Sequence, residues 1–183
     1  MRNVLFEWDE LNLIRQEARV LWSGKPPDRK KREEFCDWLE FVLCLVYAYG
    51  WQDTEKVIGP VKVEWNHDTE VVNLVIAGMT FRDRVLTEDT AEEIVRIIDT
   101  EAHRDYNAGA VNAAKESGIP NLRKRWYTMM DDRVRDTHDY LEGMVVGIDD
   151  RFYTSDGDSA RYPGDFDDPS NNVNCRCSVG IVP

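Results

Sequence analysis

The chain has 183 residues, of which 42% are hydrophobic and 32% are charged, and its formal net charge is -12 at pH 7. This composition is typical of a globular protein with one well-buried domain or two small ones. The acidic balance argues against broad, sequence-independent binding to nucleic acid, which needs Lys and Arg to neutralise phosphates, and leaves only a local basic patch for such contacts.

The N-terminal part of the sequence predicts two helices. Apolar residues recur at helical spacing over residues 5–22, and "SGKPPDRKKR" then interrupts the pattern with glycine and prolines. A second, strongly apolar helix is expected from Arg29 to Gly50, because glycine is a common residue at helix C-termini. Residues 1–50 are therefore predicted to form an N-terminal helical region. The chain shows neither a basic segment followed by an apolar one nor a run of 18 apolar residues, so a soluble, unexported protein is expected.

The middle of the chain predicts a connector and two further helices. Gly59 and Pro60 mark the connector, and a helix is expected near residues 69 to 77, ended by Gly78. Thr90 and Glu93 then form a capping box that opens a helix of about seven turns, which closes at Gly118.

After Pro120 the pattern changes to that of short strands and turns. "NLRKRWYT" predicts a strand with Leu122 and Trp126 on one side and arginines on the other, and "GMVVGI" predicts a second strand. A short helix places His138 on its apolar face, "FYTSDGDSARYPGDF" predicts a hairpin or loop, and "VNCRCSVGIV" predicts a last strand. The expected fold is α+β, with a helical region followed by a small C-terminal module that contains a sheet.

Glu101 is the anomaly of the long helix. It lies in the middle of the apolar stripe that starts at Ile94, so its carboxylate must find partners. One interpretation is a structural ion pair with Arg104 one turn away, or with Arg133 or Arg135 from the short helix. The other is a general acid or base, because burial raises the pKa of a glutamate. Periodicity does not separate the two.

The four cysteines are expected to be reduced thiols or metal ligands rather than disulfides. Two of them lie in the second helix and are interpreted as core thiols. Cys175 and Cys177 share one face of the predicted last strand, and with His138 they supply ligand types that zinc prefers. The alternatives are packing of the thiols against His138 and a disulfide, which would be strained at this spacing. A fourth ligand is not evident, although His67, His103 and an aspartate of "DDRVRD" are candidates by residue type. The acidic loop before the cysteines lacks the full order of a calcium-binding EF-hand and is expected to be solvated.

An ordered set of residues in the second half of the chain resembles the phage Mu F-like minor head protein family, also called phage head morphogenesis proteins. The resemblance covers roughly residues 51–183, while residues 1–50 match only loosely, and the chain is short for the family. The residues that carry the resemblance are Trp126, Thr128, Asp132, Arg133, Arg135, His138, Gly143, Phe152, Pro163, Gly164, Cys175, Arg176 and Cys177.

The resemblance implies a family domain over residues 51–183, helical over 51–118 and compact α+β over 119–183. It implies a low-copy structural protein of a phage or prophage head that associates with the portal protein, other capsid proteins or the capsid interior. Such a protein acts in head morphogenesis or DNA delivery, contacts packaged DNA at most through a local basic patch, and is found in the virion and, during assembly, in the host cytoplasm. No membrane, enzymatic activity or toxin domain is expected, and no cofactor other than a structural zinc.

Two classes of function follow from these residues. In the structural one, a buried polar network fixes the long helix against the C-terminal sheet. Its expected members are Glu101, Arg104, Trp126, Asp132, Arg133, Arg135, His138 and Arg176. In the alternative, Glu101 and His138 act as acid and base in a metal-assisted hydrolase or nuclease-like enzyme. The two differ in whether these side chains line an open pocket or are sealed and mutually satisfied.

Overall fold

A computed structural model describes residues 8–62, 68–76 and 78–183. The described residues form seven helices and five strands. The helices are α1 (Asp9–Leu21), α2 (Arg29–Ile58), α3 (Asp68–Val72), α4 (Phe81–Thr87), α5 (Ala91–Glu116), α6 (Asp136–Asp139) and α7 (Pro169–Asn172). The strands are β1 (Arg123–Tyr127), β2 (Val145–Gly147), β3 (Phe152–Tyr153), β4 (Ser159–Ala160) and β5 (Ser178–Val182).

The N-terminal half is helical, as predicted. The Asp28 side chain caps α2 by accepting a hydrogen bond from the Lys31 amide, and Thr90 caps α5 by accepting one from the Glu93 amide. The 26 residues of α5 make about seven turns, which confirms the predicted length. No helix in the described part of the chain is both long and apolar enough to cross a bilayer.

The prediction that the second helix ends at Gly50 is wrong. The helix continues to Ile58 and ends at Gly59, which has a φ of 90°. Gly50 lies where α2 crosses α5, and a Cβ atom there would come within 2.0 Å of the Tyr106 carbonyl oxygen. The same holds on the partner helix, because a Cβ on Gly109 would lie 2.1 Å from the carbonyl oxygen of Tyr47. Gly50 therefore serves the close approach of two helix backbones and does not end a helix.

The helix predicted near residues 69 to 77 is shorter than expected. It ends at Val72, and Ile76 pairs with Met79 in an isolated bridge across Gly78. The guanidinium of Arg104 donates hydrogen bonds to the carbonyls of Val71 and Val72. Because these last carbonyls already have a partner from α5, α3 can stop after little more than one turn.

The C-terminal module confirms the α+β prediction. Its three-stranded antiparallel sheet has the order β2-β1-β5, with Trp126 opposite Val179, and β3 and β4 form a separate hairpin. The predicted last strand is shorter than expected, because β5 begins at Ser178. Cys175 and Cys177 thus lie in the extended segment before it, and they still point to the same buried side.

Two hydrophobic clusters make up the core of the described chain. The first joins α1, α4, the N-terminal part of α2 and the first turns of α5. The second surrounds Trp126 and joins the C-terminal module to Tyr47, Trp51 and the second half of α5. Helices α2 and α5 contribute to both clusters, so their crossing connects the two halves of the chain.

We expect Gly109→Ala to destabilise the protein. Alanine gains about 1 kcal/mol of helix propensity, but the neighbouring atoms are backbone of α2 and cannot rotate away, so we expect a net loss of about 1–3 kcal/mol. Urea unfolding followed by circular dichroism measures this change. Gln52→Ala, an exposed position on α2, is the control and should change stability by less than about 0.5 kcal/mol. Equal stability of the two variants would show that the crossing is not tight.

Candidate functional site

Helix α5 carries an unusual run of buried polar side chains. Those of Glu101, Arg104 and Asp105 share one face, because they are spaced by three and four residues. His103 and Asn107 share a different face by the same rule. The first face forms an ion-pair cluster with Arg84, and the second face lies against a Cys–His cluster, which consists of His138, Cys175 and Cys177.

The ion-pair cluster consists of Arg84, Glu101, Arg104 and Asp105. One oxygen of Glu101 lies 2.6 Å from Nη1 of Arg104, and the other accepts a hydrogen bond from the guanidinium of Arg84 in α4. Arg104 also donates from Nε and Nη2 to Oδ1 of Asp105, at 3.1 and 3.0 Å. Two guanidinium and two carboxyl groups thus meet in this cluster, and Arg84 is the partly exposed member.

Burial and pairing shift the protonation of this cluster. Burial raises the pKa of Asp105 to about 7, and the neighbouring Arg104 guanidinium only partly opposes that rise. Burial lowers the pKa of Arg104, but the Asp105 and Glu101 carboxylates more than offset it and hold the pKa above its ordinary value. The guanidinium therefore stays charged in the core, where loss of a partner is costly.

The predicted polar network is only partly correct. Glu101 pairs with Arg104 as predicted, but its second arginine is Arg84, not Arg133 or Arg135. Sequence spacing could not find Arg84, because the contact depends on how the short helix α4 packs on α5. The other predicted members of the network do not belong to this cluster. The residues that were predicted to form one network therefore form several separate groups.

The predicted arginines that follow β1 in the chain contact residues near the C-terminus or in the loop after β1. Arg176 pairs with Asp131 through both terminal guanidinium nitrogens, at 2.8 and 2.6 Å, and these bonds lower the pKa of Asp131 to about 2. Arg135 donates a hydrogen bond to the carbonyl of Val173. Arg133 is largely exposed, 3.8 Å from Asp131. The remaining predicted member, the aspartate at position 132, is exposed.

The Cys–His cluster lies between α6 and the segment before β5. Nδ1 of His138 is 3.7 Å from the sulfur of Cys175 and also 3.7 Å from that of Cys177. The imidazole stacks on Phe166, and Trp126 packs edge-on against it, with ring centroids 5.1 and 5.8 Å away. All three ligand-type side chains are buried, which confirms the predicted proximity near Trp126.

The pKa values of the two buried thiols are shifted in opposite directions. A hydrogen bond with Cys177 lowers the pKa of Cys175 well below its ordinary value, against the effect of burial, and His103 and His138 act in the same direction. The same pairing, together with burial, raises the pKa of Cys177, although the Trp126 side chain opposes that rise.

Within the described ranges, His138, Cys175 and Cys177 are the one group of three such residues whose ligand atoms lie close enough for one metal ion. His103 of α5 lies close enough to Cys175 to lower the pKa of its thiol, and its Nε2 is 3.3 Å from the side-chain nitrogen of Asn107. His67, the other candidate histidine, lies outside the described residues. The acidic loop forms no comparable group. Its Asp165 pairs with Arg161 instead.

Glu101 and His138 do not share a contact. Glu101 is 1% exposed, and each of its oxygens contacts a guanidinium. It lines a cavity of about 210 Å³ together with Arg84, Arg104 and a mixture of polar and apolar residues, whereas His138 contacts the thiols and Trp126. The described geometry therefore offers no acid–base pair of these two residues.

Gly164 explains why the "YPGD" loop can lie directly on α5. Its φ is +93°, and a Cβ atom there would come within 2.9 Å of the Cα atom of Arg104. Only glycine fits such a backbone conformation and such an approach without strain. The loop thereby closes over the ion-pair cluster.

Lys124 is a buried residue that the sequence analysis missed. Its Nζ donates a hydrogen bond to the carbonyl of Ile148 at 2.9 Å and lies 5.6 Å from the centroid of the Phe152 ring. Burial lowers its pKa to about 8. Alternation along β1 could have found it, because Lys124 is two residues from the inward-facing Trp126.

Residues 73–180 match the family model described as Phage Mu protein F like protein. The chain is similar to the minor head protein GP7 of Bacillus phage SPP1, with 31% identity over 84 residues, which are 45% of this chain and 27% of that protein. It is also similar to the NAD(+)--arginine ADP-ribosyltransferase EFV of Enterococcus faecalis (strain ATCC 700802 / V583), with 39% identity over 96 residues, 51% of this chain and 19% of that protein. The chain thus spans about a fifth to a quarter of the length of these curated relatives. No solved structure matches it.

We expect Glu101→Ala to lower the free energy of unfolding by about 3–5 kcal/mol, because it leaves the buried Arg104 with one partner fewer. Asp99→Ala is the control on the same helix. Asp99 pairs with Arg15 at 2.7 Å but is 47% exposed, so its loss should cost less than about 1 kcal/mol. Thermal and urea unfolding measure both. A stable Glu101→Ala protein that has lost its biological role would instead favour the catalytic interpretation.

Lys124 should make the protein more stable as the pH rises from about 8 to about 10.4. Its pKa is lower in the folded than in the unfolded chain, so the unfolded chain binds more protons in this range and stability rises by up to about 3 kcal/mol. Urea unfolding at several pH values tests this expectation. Lys124→Met should lose this rise, whereas Lys56→Met, at an exposed position, should keep it. Parallel pH profiles for Lys124→Met and the parent would contradict it.

Proposed function

Because the chain belongs to the phage Mu protein F like family, we propose that it is a minor structural protein of a phage or prophage head. We place it at the portal protein or the inner capsid surface, with a role in head morphogenesis or DNA delivery. The observation that carries the proposal is the family match over residues 73–180, which includes α4, α5 and most of the C-terminal module.

The geometry of the matched region supports a structural role. Its buried polar groups join elements to one another: Arg84 of α4 to Glu101 of α5, and the Val179 amide of β5 to Asn107 at 2.9 Å. Polar groups that are paired between elements fix the positions of those elements relative to one another. A structural component of a particle needs such a fixed arrangement.

The two curated relatives bear different names, and each is matched over a small part of its length. A segment similar both to a head protein and to an ADP-ribosyltransferase does not by itself specify the transferase activity. We therefore propose that this chain has the particle role and does not transfer ADP-ribose. An assay with labelled NAD⁺ and the purified chain tests that part, and incorporation of label into an arginine-containing acceptor protein would contradict it.

An exposed apolar stripe on α2 offers a surface for a protein partner. Trp38, Phe41 and Leu45 are spaced by three and four residues on the outer face. Phe41 is 62% exposed and Trp38 37% exposed, whereas Leu45 is half-buried. Exposed apolar patches of this kind mark protein interaction sites. The stripe lies outside residues 73–180, so it belongs to this chain and not to the matched family region. We propose that it contacts the portal protein.

DNA is the weaker candidate partner. Arg123 and Arg125 lie exposed on the outer face of β1 and form one small basic patch. Arg29, Lys30 and Lys31 are exposed at the start of α2 and form another, next to Glu33 and Glu34. Two or three phosphate contacts from one such patch would give a log–log salt slope of only about -1.8 to -2.7, against about -5 to -9 for a protein that neutralises 6–10 phosphates. With a net charge of -12, the chain fits a protein partner better than a DNA one.

The phage or prophage that encodes the chain provides the test. Quantitative mass spectrometry of purified particles should find the protein in the head fraction, in far fewer copies than the major capsid protein. Cross-linking followed by mass spectrometry should join α2 to the portal protein. Absence from purified particles, while the protein is present in the lysate, would overturn the proposal.

A matched pair of variants tests the apolar stripe. Phe41→Ser should reduce incorporation into particles at least several-fold without loss of folding, because the side chain is already exposed. Val20→Ser, at a 68% exposed position on α1, is the control and should be incorporated normally. Normal incorporation of Phe41→Ser would refute the proposed contact surface and leave the head assignment intact.

A further inference from the structure

The Cys–His cluster has an arrangement that hydrogen bonding alone does not explain. The ring nitrogen Nδ1 of His138 is equally distant, 3.7 Å, from the sulfurs of Cys175 and Cys177. One imidazole nitrogen carries either one proton or one lone pair, so it can make one good in-plane hydrogen bond. A cation between the three atoms would contact both sulfurs and the nitrogen at once.

The spacing of these atoms agrees with zinc. With Zn–S distances of about 2.3 Å and Zn–N distances of about 2.0–2.1 Å, sulfur and nitrogen ligands of a tetrahedral ion lie about 3.6 Å apart. The observed 3.7 Å needs almost no rearrangement, and all three ligand atoms lie within 4.8 Å of one another. Thiolate and imidazole together favour zinc over magnesium or calcium, which prefer oxygen ligands.

The surroundings indicate a closed, structural site. All three side chains are buried, and Trp126 and Phe166 cover the imidazole. His138 also lines a small cleft with room for about one water molecule, and a metal-bound imidazole needs such a partner for its second nitrogen.

His103 is placed to complete the coordination. It is buried, it reaches the cluster from α5, and it lies beside the side chain of Cys175. Its Nε2 contacts the side-chain nitrogen of Asn107 at 3.3 Å. It is not one of the three residues whose ligand atoms lie within 4.8 Å of one another, so it must turn toward the ion. Two cysteines and two histidines are a common ligand set for a tetrahedral structural zinc.

We propose that His138, Cys175 and Cys177 bind one zinc ion, with His103 as the fourth ligand, and that this ion fastens the C-terminal segment to α5 and α6. The ligands come from three parts of the chain that are distant in sequence. The ion thus adds metal coordination as a link between the long helix and the segment before β5, beside the hydrogen bond from the Val179 amide to Asn107. This proposal does not depend on the head assignment.

Metal analysis of the purified protein is the first test. The protein should be produced without a polyhistidine tag, under reducing conditions, and its zinc content measured by plasma mass spectrometry. We expect one zinc per chain, and X-ray absorption should show two sulfur ligands at about 2.3 Å and two nitrogen ligands at about 2.0–2.1 Å. No zinc in the purified protein, and no uptake by the reduced protein from added zinc, would overturn the proposal.

Variants assign the ligands. Cys175→Ser, Cys177→Ser and His138→Gln should each lower zinc content at least ten-fold, whereas Cys36→Ser, a buried thiol of α2, should keep one zinc per chain. His103→Gln should keep two sulfur ligands and lose one nitrogen ligand in the absorption spectrum. Retention of both nitrogen ligands in His103→Gln would overturn the assignment of the fourth ligand.

A measurement on the parent protein guards against variants that fail to fold. Alkylation of thiols, mapped by peptide mass spectrometry, should spare Cys175 and Cys177 until a chelator is added, and the chelator should then expose both while Cys36 stays protected. Hydrogen exchange of β5 should accelerate in the same sample. The proposal would be refuted if Cys175 and Cys177 stayed unlabelled and the β5 amides stayed protected after chelation. That result would show a packed thiol core without metal.

Discussion

The close crossing of α2 and α5 is the contact on which the rest of the structure depends. At Gly50 and Gly109 each helix lies against the backbone of the other, at a separation that leaves no room for a Cβ atom. Each glycine costs about 1 kcal/mol of helix propensity, which the packing of the two long helices offsets. Because α2 and α5 contribute to both hydrophobic clusters, this crossing sets the position of the N-terminal helices relative to the C-terminal module.

Helix α5 then uses its remaining faces to hold the other elements. On one face, Arg104 balances Glu101 and Asp105 and also satisfies the last carbonyls of α3. On another, Asn107 accepts a hydrogen bond from β5. Buried ion pairs add little net stability compared with apolar packing, but they make wrong arrangements costly, because an unpaired buried charge is expensive. The polar residues of α5 therefore select one arrangement of the surrounding elements.

The inner and outer surfaces of the helices differ in a way that is relevant to function. The interior of the matched region is occupied by contacts between elements, with Glu101 held by two arginines and His138 directed at two thiols. The exposed apolar stripe lies on the outer side of α2, the helix whose inner side makes the tight crossing. The polar contacts of α5 thus join the elements of the matched region, while the exposed apolar side chains of α2 face outward.

Local patterns in the sequence were sufficient for the starts of α2 and α5, for the α+β class and for the shared face of Cys175 and Cys177, but they missed α4 and α7. The grouping of these cysteines with His138 also used the family resemblance. Caps, periodicity and alternation act over a few residues, so they can be seen in the chain itself, and alternation would also have shown that Lys124 faces inward. The role of Gly50, the partnership of Glu101 with Arg84 and the early end of α3 depended on which elements meet in space. A glycine ends a helix or lets another backbone approach, and a buried carboxylate pairs with whichever arginine the packing brings to it. Sequence spacing cannot distinguish these outcomes, because the deciding atoms belong to elements distant in the chain.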